Sequence, residues 1–309
     1  MALEWFFFTI FSAVAYSALD IIEKHLISKR IPSALMLAIF IAVFYPINLA
    51  IIPVFFEIDL SFLPSLASFA IGAGMGIAYL LFMKSLRVEE VSRVVTLNYT
   101  YPLFIAPIAF VFLKENLNFS NYAGIVLLVA STFLISYKRI GRSIFYSPAL
   151  RLMTILNIAI AVVNVLAKYL LSFTNFWSFI FWLTAGLILV RLSLLLIPRF
   201  RRDFAKIGFD RKLVGFGVAI AGLFLVANLL YYGAVSLQLV SLVGALSATQ
   251  PMFILAMALA ISYMRPRFVY EELSRKATLT KTIAVILVLV GTYLLTLNSL
   301  LALLIIISR

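Results

Sequence analysis

Long apolar runs dominate the chain, and the breaks between them fall at charges, prolines and turn residues. Ten runs occur, at roughly 3–24, 33–55, 64–86, 91–113, 120–137, 148–171, 175–198, 213–235, 241–264 and 280–301. Each approaches the roughly twenty residues an α-helix needs to cross a hydrocarbon core. None alternates apolar and polar residues as a membrane β-strand does, so helices rather than a barrel are expected. The last run continues through "LALLIIIS" and is long enough to tilt. The pattern predicts an all-α integral membrane protein with ten transmembrane helices.

Composition sharpens this. Hydrophobic residues make up 64% of the 309 positions and charged residues 12%, with a mean hydropathy of +1.13. Soluble domains are about half apolar and about a quarter charged. The N-terminal apolar run has no basic segment before it, so no cleavable signal peptide is expected. Cysteine is absent and His25 is the single histidine, so thiol chemistry, disulfides and a His-rich metal site are excluded.

The charge distribution gives orientation. The first, third, fifth, seventh and ninth connections hold 21 of the 25 lysines and arginines. Examples are Lys24, Lys29 and Arg30 in the first, and Arg199, Arg201, Arg202, Lys206, Arg211 and Lys212 in the seventh. This is the positive-inside pattern. It predicts a multi-pass cell-membrane protein with odd loops in the cytoplasm and both termini outside. It also explains the +13 net charge by topology and anionic-lipid contact, leaving no call for nucleic acid as a partner.

The sequence also repeats. A shift of 149 lays residues 78–109 on 227–258, matching Val91 to Val240, Leu97 to Leu246, Thr100 to Thr249 and Pro102 to Pro251. A shift of 144 brings Asp20 to Asn164 and Lys24 to Lys168, and a shift of 160 brings Thr132 to Thr292. Two halves follow, 1–142 and 143–309, each with five spans. Five is odd, so the halves should cross the membrane in opposite senses, as inverted repeats.

Ten spans, two halves and the stretch "YTYPLFIAPIAFVFLKENLNFSNYAGIVLLVASTFLIS" resemble the EamA domain of the drug/metabolite transporter superfamily. The resemblance rests on a proline-containing fourth span, the outer Leu113-Lys114-Glu115 and the glycine-bearing fifth span (Gly124). The second half keeps Pro251 but has Met264 and Arg265 where a mate of Glu115 would stand. The resemblance implies a central cavity lined by spans one, three, four, six, eight and nine.

Helical spacing collects polar side chains on those spans. The candidate substrate-binding residues are Tyr16, Asp20, Tyr79, Asn98, Tyr101, Asn164, Lys168, Asn228, Tyr231, Ser247 and Gln250. Pro102 and Pro251 are candidate hinges, each removing a backbone bond inside a helix, and Lys24 is a candidate gate. Asp20 and Lys24, four residues apart, are placed to pair, and Arg191 to snorkel towards the cytoplasm. Lys168, in "AVVNVLAKYLLSF", lies on the outer side, where topology gives it no reason.

Metalloprotease, serine-hydrolase and P-loop motifs are missing, and no cofactor or metal is expected. The pairs Glu89-Glu90 and Glu271-Glu272 read as solvated charges in basic loops. The reading is therefore a secondary carrier of small metabolites, not an enzyme. An amino-acid or related exporter fits best, for a solute with a carboxylate or phosphate. The lipid bilayer is its other partner, and a monomer is the default. A flippase for lipids or lipid-linked sugars is the alternative, followed by a membrane enzyme on lipid-linked substrates.

Overall fold

The structure is a computed structural model, and it describes residues 3–85, 97–135, 148–264 and 282–297. These are helical throughout, with no strand among them. The helices are α1 (Glu4–Lys29), α2 (Ala34–Phe44), α3 (Pro46–Phe55), α4 (Phe62–Ser85), α5 (Pro102–Leu113), α6 (Phe119–Ile135) and α7 (Pro148–Leu171). They continue with α8 (Phe176–Ser193), α9 (Pro198–Ala205), α10 (Arg211–Leu237), α11 (Val240–Ser247), α12 (Gln250–Met264) and α13 (Thr282–Leu297).

Among the described residues, seven stretches are long and apolar enough to cross a membrane: α1, α2 with α3, α4, α7 from Arg151, α8, α10, and α11 with α12 to Ile261. The helices α5, α6 and α13 are apolar but shorter. Large side chains such as Phe62, Phe112 and Phe119 face outward, as a lipid-facing surface requires and a water-facing one would not. The Glu89-Glu90 and Glu271-Glu272 pairs, and Arg265, lie outside the described residues.

Because lipid is as apolar as leucine, helix pairs here gain from close packing rather than from a hydrophobic drive. The contact of α4 with α8 shows how the sequence permits it. A Cβ at Gly72 would collide with the Leu183 carbonyl, and one at Gly186 with the Phe69 carbonyl. Gly124 of α6 and Gly291 of α13 bring a second pair together in the same way. Elsewhere α1 packs along α10 and the α11–α12 span, while α7 packs along α4 and α5.

Two ends of the bundle are pinned by polar contacts. At one end Arg30 and the exposed Asp210 form a 2.9 Å ion pair, joining the first and seventh connections. Asp210 also caps α10 by accepting from the Leu213 N–H at 2.7 Å, and that bond, helped by Arg30, holds its carboxyl below the usual range. At the other end the Asp59 N–H donates to Ser178 Oγ at 2.7 Å, and the Trp182 indole donates to the Asp59 carbonyl. Connections that the charge pattern assigns to one side thus touch others assigned to the same side.

Gly186→Val should be among the most damaging single changes in the protein. Overpacking costs roughly 1–3 kcal/mol, and here the obstruction is backbone that cannot rotate away. The expected result is a clear fall in detergent melting temperature and in yield of monodisperse protein. Exposed Gly215, with open space around it, should accept Ala without such a fall.

Candidate functional site

The fourth and ninth spans are both broken, at matching places. Leu97 and Asn98 are helical and residues 99–101 turn before α5, and Ala248-Thr249 separate α11 from α12. The bonds correspond one for one under the 149-residue shift. The Thr100 N–H donates to the Leu97 carbonyl and the Thr249 N–H to the Leu246 carbonyl. The Leu103 N–H donates to the Thr100 carbonyl and the Met252 N–H to the Thr249 carbonyl.

The two prolines stand differently from the expectation. Pro102 is the first residue of α5 and Pro251 the second of α12. A first-turn N–H has no intrahelical partner anyway, so neither proline removes a bond from a helix interior. Each marks the restart of a helix after its break.

Each break is held by a span from the other half of the sequence. Asn157 of α7 is buried, and its amide donates to the Leu97 carbonyl at 2.7 Å and to Thr100 Oγ1 at 2.8 Å. On the other break, Ser17 of α1 donates to the Gln250 carbonyl at 3.2 Å, and the Gln250 amide donates to Asp20 Oδ2 at 2.8 Å. Asp20 therefore bonds across to the ninth span. Lys24, its expected partner, is exposed and stands apart from the polar interior.

Several predicted residues come together around these breaks. Tyr231 donates to Asn164 Oδ1 at 2.7 Å, tying α10 to α7 inside the bundle. Tyr101 contacts Ser247 across the two broken spans. Tyr16 lies within electrostatic reach of Asp20 and Tyr101, and Tyr231 within reach of Tyr101 and Tyr16. Asn98 is half-buried beside the first break. Asn228 is buried and turns back to the Phe224 carbonyl of its own helix, 2.8 Å away.

Lys168 stands away from this set, towards the end of the bundle where Asp59 meets Ser178. Its ammonium donates to the carbonyls of Val235 (2.7 Å) and Ser236 (3.2 Å), the last turn of α10. A helix C-terminus carries partial negative charge and unpaired carbonyls, so a lysine is the fitting partner. Buried Glu115 does the complementary work next door. Its carboxylate accepts from the N–H groups of Val240 (2.7 Å) and Ser241 (3.2 Å) and from the Ser241 hydroxyl (2.6 Å), at the N-terminus of α11. Lys114, with φ of 55°, turns the chain so that Glu115 points inward.

A second polar group was only partly legible. Tyr79 donates to Glu23 Oε2 at 3.1 Å, and the Arg191 guanidinium stacks 3.8 Å from the Tyr79 ring centre and 5.6 Å from that of Tyr45. Arg191 is 3% exposed, so it does not snorkel. Snorkelling assumed a free path to the surface, and stacked tyrosines occupy it. Tyr45 has a signal in the sequence: like Tyr101, it precedes a proline that starts a helix.

The model of the EamA-like transporter family matches residues 3–137. The first part of the chain is thus similar to that family. These proteins are membrane transporters, in keeping with the seven candidate spans. No curated protein matches the chain. A solved structure described as "Crystal structure of protein" is similar, with a TM-score of 0.69 and 15% identity over 97% of this chain and 99% of that one. At that identity it shows the fold alone.

Glu115→Ala should leave buried donors at the start of α11 unpaired, at about 1–3 kcal/mol for each group. Thermal melts in detergent should show the loss, and Glu115→Gln, which keeps an acceptor, should recover part of it. Lys168→Met should be destabilising in the same assay.

Proposed function

We propose that this EamA-like protein is a secondary carrier of small metabolites, working by alternating access between two inverted five-helix repeats, 1–142 and 143–309. The observation that carries the reading is the pair of matched helix breaks, each clipped by a span from the opposite half. Interrupted backbone at membrane depth is tolerated where it is buried in protein or lines a cavity, and carriers place it at the solute site. The side-chain clips are worth about 1 kcal/mol each, weak enough to exchange.

The packing supports the inverted arrangement. The first span meets the eighth and ninth, and the sixth meets the third and fourth, which are their repeat mates. The contacts between connections support ten crossings, since Arg30 meets Asp210 and Glu115 meets Val240. On this reading both termini are outside. The half-repeats rock about the region of Asp20, Gln250, Tyr101, Ser247, Asn164 and Tyr231. The set offers hydroxyl, amide and carboxylate groups among aromatic walls, which suits an amino acid or related metabolite moving outward. Lys24 takes no part in the seat, and Lys168 supports it by holding the end of α10.

Reconstituted protein should give counterflow of a radiolabelled small metabolite, and Gln250→Ala and Asn157→Ala should each lower it several-fold. Labelled lipid crossing without solute counterflow would establish a flippase instead. Because the chain has no cysteine, single cysteines can test sidedness. Those at Asn116 and Ser172 should react with an impermeant maleimide on intact cells. Those at Ser28 and Lys206 should react only after permeabilisation, and the opposite pattern would sink the topology.

A further inference from the structure

We propose that Arg191 seats the anionic group of the transported solute and that Glu23 competes for the same guanidinium. This rests on the carrier reading and names the substrate class it serves. Arg191 lies in the last turn of α8 and is 3% exposed, yet its Nε and Nη1 atoms are buried without a hydrogen-bond partner among the described residues. A charge within the bilayer costs several kcal/mol, and a buried cation with unused donors calls for a ligand. Its flat face is taken by Tyr79, and Tyr45 approaches it and shares a side-chain hydrogen bond with it, leaving Nε and Nη1 unused. The edge N–H groups are what remain, and they are the part of a guanidinium that reads carboxylate and phosphate oxygens.

Glu23, 9% exposed, is the acidic group of this cluster. It bonds to the Tyr79 hydroxyl at 3.1 Å, and its carboxylate and the guanidinium attract each other across the cluster. Asp20, one turn earlier on α1, adds negative field but is bonded to Gln250. The resident carboxylate thus offsets the cation when no solute is bound and opposes an incoming anion. The seat is near the end of the bundle marked by the Arg30–Asp210 pair, the side with the basic connections. A solute anion would be captured from there.

The experiment is thermal unfolding of the purified full chain in nanodiscs, at constant ionic strength, with sodium acetate, sodium succinate or sodium phosphate replacing sodium chloride. A saturable rise in melting temperature is expected with at least one of these anions. Arg191→Gln should abolish it, and Glu23→Gln should tighten apparent affinity several-fold. A shift that persists in Arg191→Gln overturns the site, as does a missing shift in both the native protein and Glu23→Gln. Should Arg191→Gln fail to fold, Glu23→Gln decides alone: unchanged affinity there overturns the proposal. Arg191-dependent anion binding in a protein without counterflow would refute the carrier reading and leave this site standing. Counterflow of a neutral solute, unaffected by Glu23→Gln, would refute this site and leave the carrier.

Discussion

Backbone amides and carbonyls inside a hydrocarbon layer must be paired, and the polar residues of this protein follow from that requirement. A continuous helix meets it automatically. A broken one does not, and the described residues contain three such breaks in apolar spans, at Tyr45, at 99–101 and at Ala248-Thr249. Asn157 and Ser17 are where they are because they donate to backbone carbonyls at the latter two breaks, and Gln250 ties the last of them to the Asp20 carboxylate. Asn48, donating to the Ala221 carbonyl at 3.1 Å, and Ser12, donating to Ala227 at 2.8 Å, add cross-helix bonds of the same kind. The polar interior is first a structural device, and the proposed transport function uses groups already brought inward for that purpose.

The same requirement explains the charges of Lys168 and Glu115. Helix α10 ends and α11 begins within three residues, so a set of carbonyls and a set of N–H groups lie almost side by side. Lys168 answers the first and Glu115 the second. Their signs are those the helix dipoles ask for, and the two charges also attract each other. A lysine in an oily helix needs no solute to justify it once that corner is in view.

What was legible depended on whether the cause was local. Span positions, all-helical architecture and membrane character follow from run length and composition, which act within one segment. The break positions were half legible. Thr100-Tyr101-Pro102 and Thr249-Gln250-Pro251 stood out as repeat mates, but proline alone does not say whether a helix kinks or restarts. The pairing of Asn164 with Tyr231 fits the set drawn from helical faces, while that of Asp20 with Gln250 displaced an i,i+4 guess. A neighbour on the same helix is visible in the sequence; one 230 residues away is not. Arg191 was misjudged for the same reason, since the rings that enclose it come from α2–α3 and α4.

The two matched breaks are similar but unequally held, and the difference has a mechanical consequence. At the first, Asn157 engages both a carbonyl and Thr100 Oγ1, so the turn is closed by one side chain with two short bonds. At the second, Ser17 reaches the Gln250 carbonyl at 3.2 Å, and buried Thr249 Oγ1 has no hydrogen-bond partner among the described residues. Asn157 Oδ1 at the first break is likewise buried without such a partner, so each break holds a polar atom with a bond to gain elsewhere. The two short bonds of Asn157 nevertheless make the first the harder to open. On the proposed carrier reading the second, joined to α1 through Asp20 and Gln250, would rearrange first. On that proposal the moving contact lies at α1 and α12, one turn from Glu23, which joins the proposed solute capture and conformational change on the same helix.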